Sequence, residues 1–337
     1  MLVAPTGVMP VTIGANRCRA EEGVAPYPCP MTQLRGPARR PVHIIPARKA
    51  AVGAIEVRRL LPFGRRRAVG AWCFVDHYGP HSVDGGPGMQ VPPHPHLGLQ
   101  TVTWLFSGNV VHRDSLGSDQ LIEPRQLNVM TAGAGIAHAE QSPAEHDPWL
   151  HGVQLWVALP DRVRHQPPAF EHHADLPVVG AGPFLVTVFV GTLGDAISPA
   201  TVHTPLIGAQ VDAPRGGRHP IVVDPAHEHA VVVTAGRGAL EGEPLAPGSV
   251  AVVDPGRDHL VLDLDVGSHA LLLGGAPLDE ELLLWWNFVA RTPDELIAAV
   301  AAWREGRRFG QVTGAEAEAV LAPTFDPSLL LPPGAPR

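Results

Sequence analysis

Residues 91–108, VPPHPHLGLQTVTWLFSG, and residues 131–143, TAGAGIAHAEQSP, decide how this chain is read. Each holds two metal-ligating side chains one residue apart: His94 and His96 in the first, His138 and Glu140 in the second. Extended backbone sends successive side chains to opposite faces, so residues i and i+2 project the same way. Two such strands lying side by side would aim three imidazoles and one carboxylate at a common point. Mixed nitrogen and oxygen donors suit a divalent first-row metal such as iron, nickel, copper, manganese or zinc. No cysteine takes part, which argues against a closed structural zinc site.

With 18 histidines in the chain, one His-x-His pair alone would carry little weight. The glycines around the pairs add to it. Gly88 precedes His94, Gly108 follows the first strand, and Gly133 and Gly135 lead into His138, as expected where strands turn tightly around a small barrel. Pro92, Pro93 and Pro95 interleave with the histidines and cannot donate to a ladder, so this segment belongs at a strand's start or at a sheet edge. That puts the site near a barrel mouth.

The glycine-flanked His-x-His, followed by a glycine-rich turn and another histidine, resembles the two motifs of the cupin superfamily. Longer segments narrow the resemblance. HPHLGLQTVTWLFSG (94–108) and HRDSLGSDQLIEPRQLNVMTAGAGIAHAEQSP (112–143) are similar to signature segments of the pirin family. So are RPVHIIPARKA (40–50), FVDHYGP (74–80) and GGAPLDEELLLWWNFVARTPDELIAAVAAW (274–303). The likeness spans roughly residues 41–312. It implies an all-β bicupin, two stacked jelly-roll β-barrels with a short C-terminal helix, and one iron in the first barrel held by His94, His96, His138 and Glu140. It also implies an activity like quercetin 2,3-dioxygenase or, alternatively, a nuclear-coregulator type of role. The chain departs from the family pattern at Gln100, where a glutamate is usual. Glutamine is neutral and cannot act as a base, so Glu140 inherits any general-base role and Gln100→Glu is expected to raise turnover.

Composition sets the outer bounds. At 337 residues the chain is long enough for two domains. Its 36 glycines and 37 prolines favour many turns over a helical bundle, and a net charge of −8 argues against nucleic acid as a partner. Cys18, Cys29 and Cys73 are too few for a disulfide framework and suit a reducing cytoplasm. No run reaches the length of a membrane span, and the N-terminus lacks the basic start of a secretory signal. The expected division is an N-terminal extension over 1–40, a metal-binding barrel over 41–170, a second barrel with the helix over 171–312, and a weakly ordered tail over 313–337.

The second half repeats the first in outline. Aligning Gly236 with Gly108 puts Val222 and Asp224 where His94 and His96 stand, Glu228 at the Gln100 position, and His259 opposite His138. Asp224, Glu228 and His259 make a poor ligand set, so no metal is expected there. Thr292-Pro293-Asp294-Glu295 is a capping box with proline at the first helical position, and Leu296, Ile297, Val300 and Trp303 are expected to pack inward.

Function follows from the first site. Three neutral imidazoles and a carboxylate leave a six-coordinate ion about two open positions. Gln100 and the hairpin residues His112, Arg113 and Asp114 are candidates for supporting the ligands or contacting substrate, the hairpin three as a lid or second layer or else as a plain surface turn. The ligand set by itself supports oxygen activation or Lewis-acid chemistry. With the flavonol that the pirin resemblance implies, the leading expectation is a flavonol dioxygenase using Fe(II), or another divalent first-row metal, on a phenolic substrate and dioxygen, with Glu140 catalytic. The second is an iron-dependent regulatory protein that contacts another protein without turnover.

Overall fold

Alternating apolar residues fold in a computed structural model into strands, with one helix; the structure describes residues 41–326 except 54, 65, 67 and 316. In the first domain a seven-stranded antiparallel sheet runs Ala169–His173, Leu127–Thr131, Leu99–Ser107, Trp149–Ala158, Trp72–Ser82, Ile55–Leu61 and Arg48–Val52. Facing it is a four-stranded sheet of Gln90–His96, Ile136–Gln141, Val110–Asp114 and Asp119–Ile122. The second domain repeats the plan. Its large sheet runs His43–Pro46, Ser249–Val253, Glu228–Ala235, Ser268–Gly275, Leu206–Ala213, Phe184–Leu193 and Val178–Ala181, with Ala196–Ile197 beside Phe184–Leu193. Its small sheet holds Gly217–Val222, His259–Leu264, Gly238–Leu240 and Glu243–Leu245.

The central strands of the large sheets, among them Leu127–Thr131, Leu206–Ala213 and Ser268–Gly275, are buried on both faces, which is why they lack a polar alternation. On Leu99–Ser107, Val102 and Trp104 point to the other domain and share one core with Phe189, Val232 and Leu271. Trp104 stacks on Phe189 at 4.8 Å between ring centroids, and its Nε1 donates to Gln210 Oε1 at 2.8 Å. Trp72 Nε1 lies 3.1 Å from both the Ile207 and Gly274 carbonyls. The opposite face of the same strand, with Thr101, Thr103 and Leu105, looks into the first sandwich, where Thr103 reaches Glu140.

Three features depart from the expected division. Ala169–His173, read from its prolines as a link, is a strand paired with Leu127–Thr131. Phe170 there stacks on His112 at 4.5 Å, so the crossing between domains falls at 174–177. The chain ends are also exchanged. His43–Pro46 pairs with Ser249–Val253 of the second domain. The hairpin Leu283–Trp285 and Phe288–Ala290, with the helix Pro293–Arg304, packs instead on Leu97 and Ala137 of the first. Residues 313–326, read as a loose tail, lie against that helix. Val320 N donates to Pro93 O at 2.8 Å, Trp303 Nε1 donates to Val320 O at 2.8 Å, and Ala322 is buried. Residues 1–40 and 327–337 lie outside the described residues.

The helix begins as its capping box predicts. Thr292 is the N-cap and its hydroxyl accepts from Glu295 N at 3.3 Å. Leu296 and Val300 are buried and Trp303 half-buried, whereas Ile297 is 47% exposed. Ile297 sits about 100° round the helix from Leu296, beyond the edge of the packed stripe.

Candidate metal centre

Two neighbouring strands of the small sheet bring the ligand candidates together. His94 stands directly opposite His138 in the antiparallel register, and a bulge between His138 and Glu140 sets Glu140 across from Val91. The edge position expected from the prolines holds, since among the described residues Gln90–His96 pairs only with Ile136–Gln141. Ligand atoms of His94, His96 and His138 all lie within 4.8 Å of one another. A second group within the same reach comprises His112, His138 and Glu140. His138 therefore joins the three-imidazole cluster to the carboxylate.

Hydrogen bonds fix how the rings are presented. His94 Nδ1 lies 2.9 Å from Pro92 O, and His96 Nδ1 lies 3.1 Å from Asn287 O. A carbonyl only accepts, so each Nδ1 carries the hydrogen and each Nε2 keeps its electron pair. His138 Nε2 is buried and has no hydrogen-bond partner among the described residues. Burial pushes the His94 imidazole down to about 4 and holds those of His96 and His138 well below the usual histidine range. At neutral pH these are three uncharged donors with electron pairs to give, gathered in a buried place. Such a set fits a divalent cation. Burial raises the Glu140 carboxyl, while His112 and a hydrogen bond from Thr103 Oγ1 to its Oε1 (2.9 Å) pull it down.

The other candidates divide by strand parity. On Val110–Asp114, His112 points in: its ring is buried and its Nδ1 lies 3.4 Å from His138 Nδ1. Arg113 points out and pairs with Asp119 at 3.1 Å. Gln100 does not reach the site. It faces the domain interface, where Nε2 donates to Thr131 Oγ1 at 2.9 Å and to Thr201 O at 3.2 Å. The left-handed turn at Gly98 (φ 72°) resets the alternation between His96 and the next strand, which counting four residues along the sequence ignores. Sequence reasoning missed Thr103, which reaches Glu140, whereas Asp114, named there beside His112 and Arg113, lies 3.1 Å from His112 Nε2. The i, i+2 spacing of His112 and Asp114 is the same signal that exposed the ligand pairs. It also missed the aromatic wall. Trp156 meets His96 edge-on at 5.1 Å and stacks on Phe74 at 4.0 Å.

The second domain preserves the frame without the chemistry. Val222 stands opposite His259 just as His94 stands opposite His138. Val222 is 74% exposed, and His259 bonds Asp258 at 2.6 Å. Asp224 accepts from Ala226 N at 2.8 Å, and Glu228 is held by Arg66 at 2.7 Å and by Gly70 N at 2.8 Å. These three residues are spent on separate contacts, and Glu228 on residues far away in the chain.

Residues 54–157 match the Pirin family and residues 208–310 match the Pirin C-terminal cupin domain. The chain belongs to the pirin family, an all-β protein with two cupin domains. It is 42% identical over 301 residues to a Pseudomonas aeruginosa protein named "Putative quercetin 2,3-dioxygenase PA1205", covering 88% of this chain and 95% of that one. A Caulobacter vibrioides protein named "Pirin-like protein" is 36% identical over 271 residues, covering 78% and 93%. Among solved structures, a quercetin 2,3-dioxygenase from Acinetobacter baumannii superposes with a TM-score of 0.83 at 41% identity, covering 85% of this chain and 96% of that one. Among the described residues no helix is long and apolar enough to cross a membrane.

Proposed function

We propose that this protein is a mononuclear flavonol 2,3-dioxygenase of the quercetinase type, with Fe(II) held by His94, His96, His138 and Glu140. One observation carries the reading: three buried, neutral imidazoles cluster beside an aromatic wall, and one of them, His138, also groups with the Glu140 carboxylate. The names of the similar proteins supply the flavonol. When bound, a redox-active divalent ion would supply Lewis-acid binding of an enolic hydroxyl and electron transfer toward dioxygen. The chain's own residues do the rest. Trp156 and Phe74 offer flat apolar surface for a planar ring system, and holding the reactants in one pocket makes the encounter effectively intramolecular. Glu140, with Oε1 held by Thr103, keeps Oε2 for the proton of the flavonol hydroxyl.

The test is oxygen uptake by Fe(II)-loaded protein with quercetin, against free Fe(II) and against Glu140→Gln. Uptake with opening of the flavonol ring, falling at least 100-fold in Glu140→Gln, is expected. Uptake no faster than free Fe(II) across a flavonol panel would sink the reading. A metal-sensing regulatory protein is the second reading. It draws on the bond from His96 to Asn287, which links a ligand to a hairpin bearing the half-buried Trp285 and Trp286.

A further inference from the structure

We propose that Asp114 and His112 form a hydrogen-bonded relay that fixes His138 as its Nδ1–H tautomer and so directs its Nε2 at the metal. The inference rests on the metal reading above and assigns two residues outside the ligand set.

The relay is built from both ends. Asp114 is buried, and its Oδ1 accepts from the backbone N–H groups of Leu116 (2.8 Å) and Ser118 (3.1 Å). That turn locks the carboxylate with Oδ2 aimed at His112 Nε2, 3.1 Å away. A carboxylate oxygen accepts, so His112 carries its hydrogen on Nε2 and presents a bare Nδ1. Facing it at 3.4 Å is His138 Nδ1. Two bare nitrogens would repel, so His138 must place its hydrogen there. Its Nε2, buried and without a partner, then keeps the electron pair. Phe170, stacked on the His112 ring at 4.5 Å and 15°, holds that ring in the plane the chain of bonds needs.

His94 and His96 achieve the same tautomer through the carbonyls of Pro92 and Asn287. His138 does so through a second imidazole backed by a carboxylate. Partners of this kind orient a ligand and raise its basicity, and losing one commonly weakens metal binding 10- to 100-fold.

Asp114→Asn separates this role from a structural one. The carboxamide oxygen still caps the turn at Leu116 and Ser118, but an NH2 now faces His112. The hydrogen on His112 then moves to Nδ1, His138 must accept there, and its own hydrogen shifts to Nε2, where it blocks a metal. We expect nitrogen-15 spectra of the metal-free wild type to show His138 as the Nδ1–H form. In Asp114→Asn they should show the Nε2–H form, with Ni(II) bound at least 10-fold more weakly in chelator competition and with thermal unfolding little changed. Adding His112→Gln to Asp114→Asn restores an acceptor beside His138 and should recover most of that affinity. An Nε2–H tautomer for His138 in the metal-free wild type would overturn the relay without any variant. So would Asp114→Asn with unchanged tautomer and unchanged Ni(II) affinity. Wild type that binds no metal would defeat the metal reading instead, leaving the tautomer measurement to judge the relay.

Discussion

Asn287 holds His96: its backbone carbonyl accepts the ring's Nδ1 hydrogen at 3.1 Å, across 191 residues of chain. The contact is part of a seam. Leu97 bridges Phe288, Val289 N donates to Leu97 O at 2.9 Å, and Phe288 is fully buried. His96 of the first domain is thus held by the turn that joins Leu283–Trp285 to Phe288–Ala290.

Gly98 lets that seam close. Its φ is 72°, and a Cβ there would sit 2.1 Å from Val289 O. Gly98→Ala is expected to cost about 2 kcal/mol or more and to lift Asn287 from His96. Metal affinity should fall together with melting temperature. Full affinity at an unchanged melting temperature would show that the seam does not position His96.

Gln100→Glu should not raise turnover, contrary to what the family pattern alone suggests. The side chain is buried away from the histidine cluster and donates to the Thr201 carbonyl. A carboxylate there would face that carbonyl without a donor, a loss of about 1–3 kcal/mol. Lower stability with no gain in kcat is the expected result, read by thermal unfolding and oxygen uptake. A several-fold rise in kcat would restore the sequence-based expectation.

Metal analysis should find one ion per chain in wild type, and much less than one in His96→Ala. With excess metal the stoichiometry should stay at one, because Asp224, Glu228 and His259 are each engaged elsewhere. A second ion lost on Asp224→Ala would contradict this.

The helix is fastened to the first domain by Glu295, whose two oxygens each meet an Arg164 nitrogen at 2.8 Å. Those bonds lower the Glu295 carboxyl from its ordinary 4.5 to about 2. A carboxyl depressed on folding stabilises fully above its unfolded value and loses that contribution as pH falls through the folded one. Glu295→Gln should therefore cost about 1 kcal/mol at pH 7, as expected for a part-exposed pair. The gap to wild type should narrow between pH 4.5 and 2. A gap independent of pH would mean the loss is steric.

Where sequence could be read, local geometry was the reason. The i, i+2 pairs survive because a strand's alternation is fixed by its backbone, and Thr292 to Glu295 because a cap is contained in one turn. Val222 could be placed opposite His259 because Gly108 and Gly236 both turn the chain in the left-handed region just after a strand. Gln100 was misplaced because the turn at Gly98 resets parity. The Asn287 contact and the stacking of Phe170 were invisible, since nothing near His96 or His112 in the chain announces a partner so distant.

The exchanged ends also set an order of assembly. His43–Pro46 emerges first during synthesis, yet its partner strand, Ser249–Val253, comes some two hundred residues later. The carbonyl that orients His96 comes later still. A nascent chain therefore cannot finish its ligand set domain by domain, as consecutive domains ordinarily can. Under the proposed function, uptake of metal would be one of the last events in maturation, and fragments cut between 174 and 177 would each lack a piece of themselves.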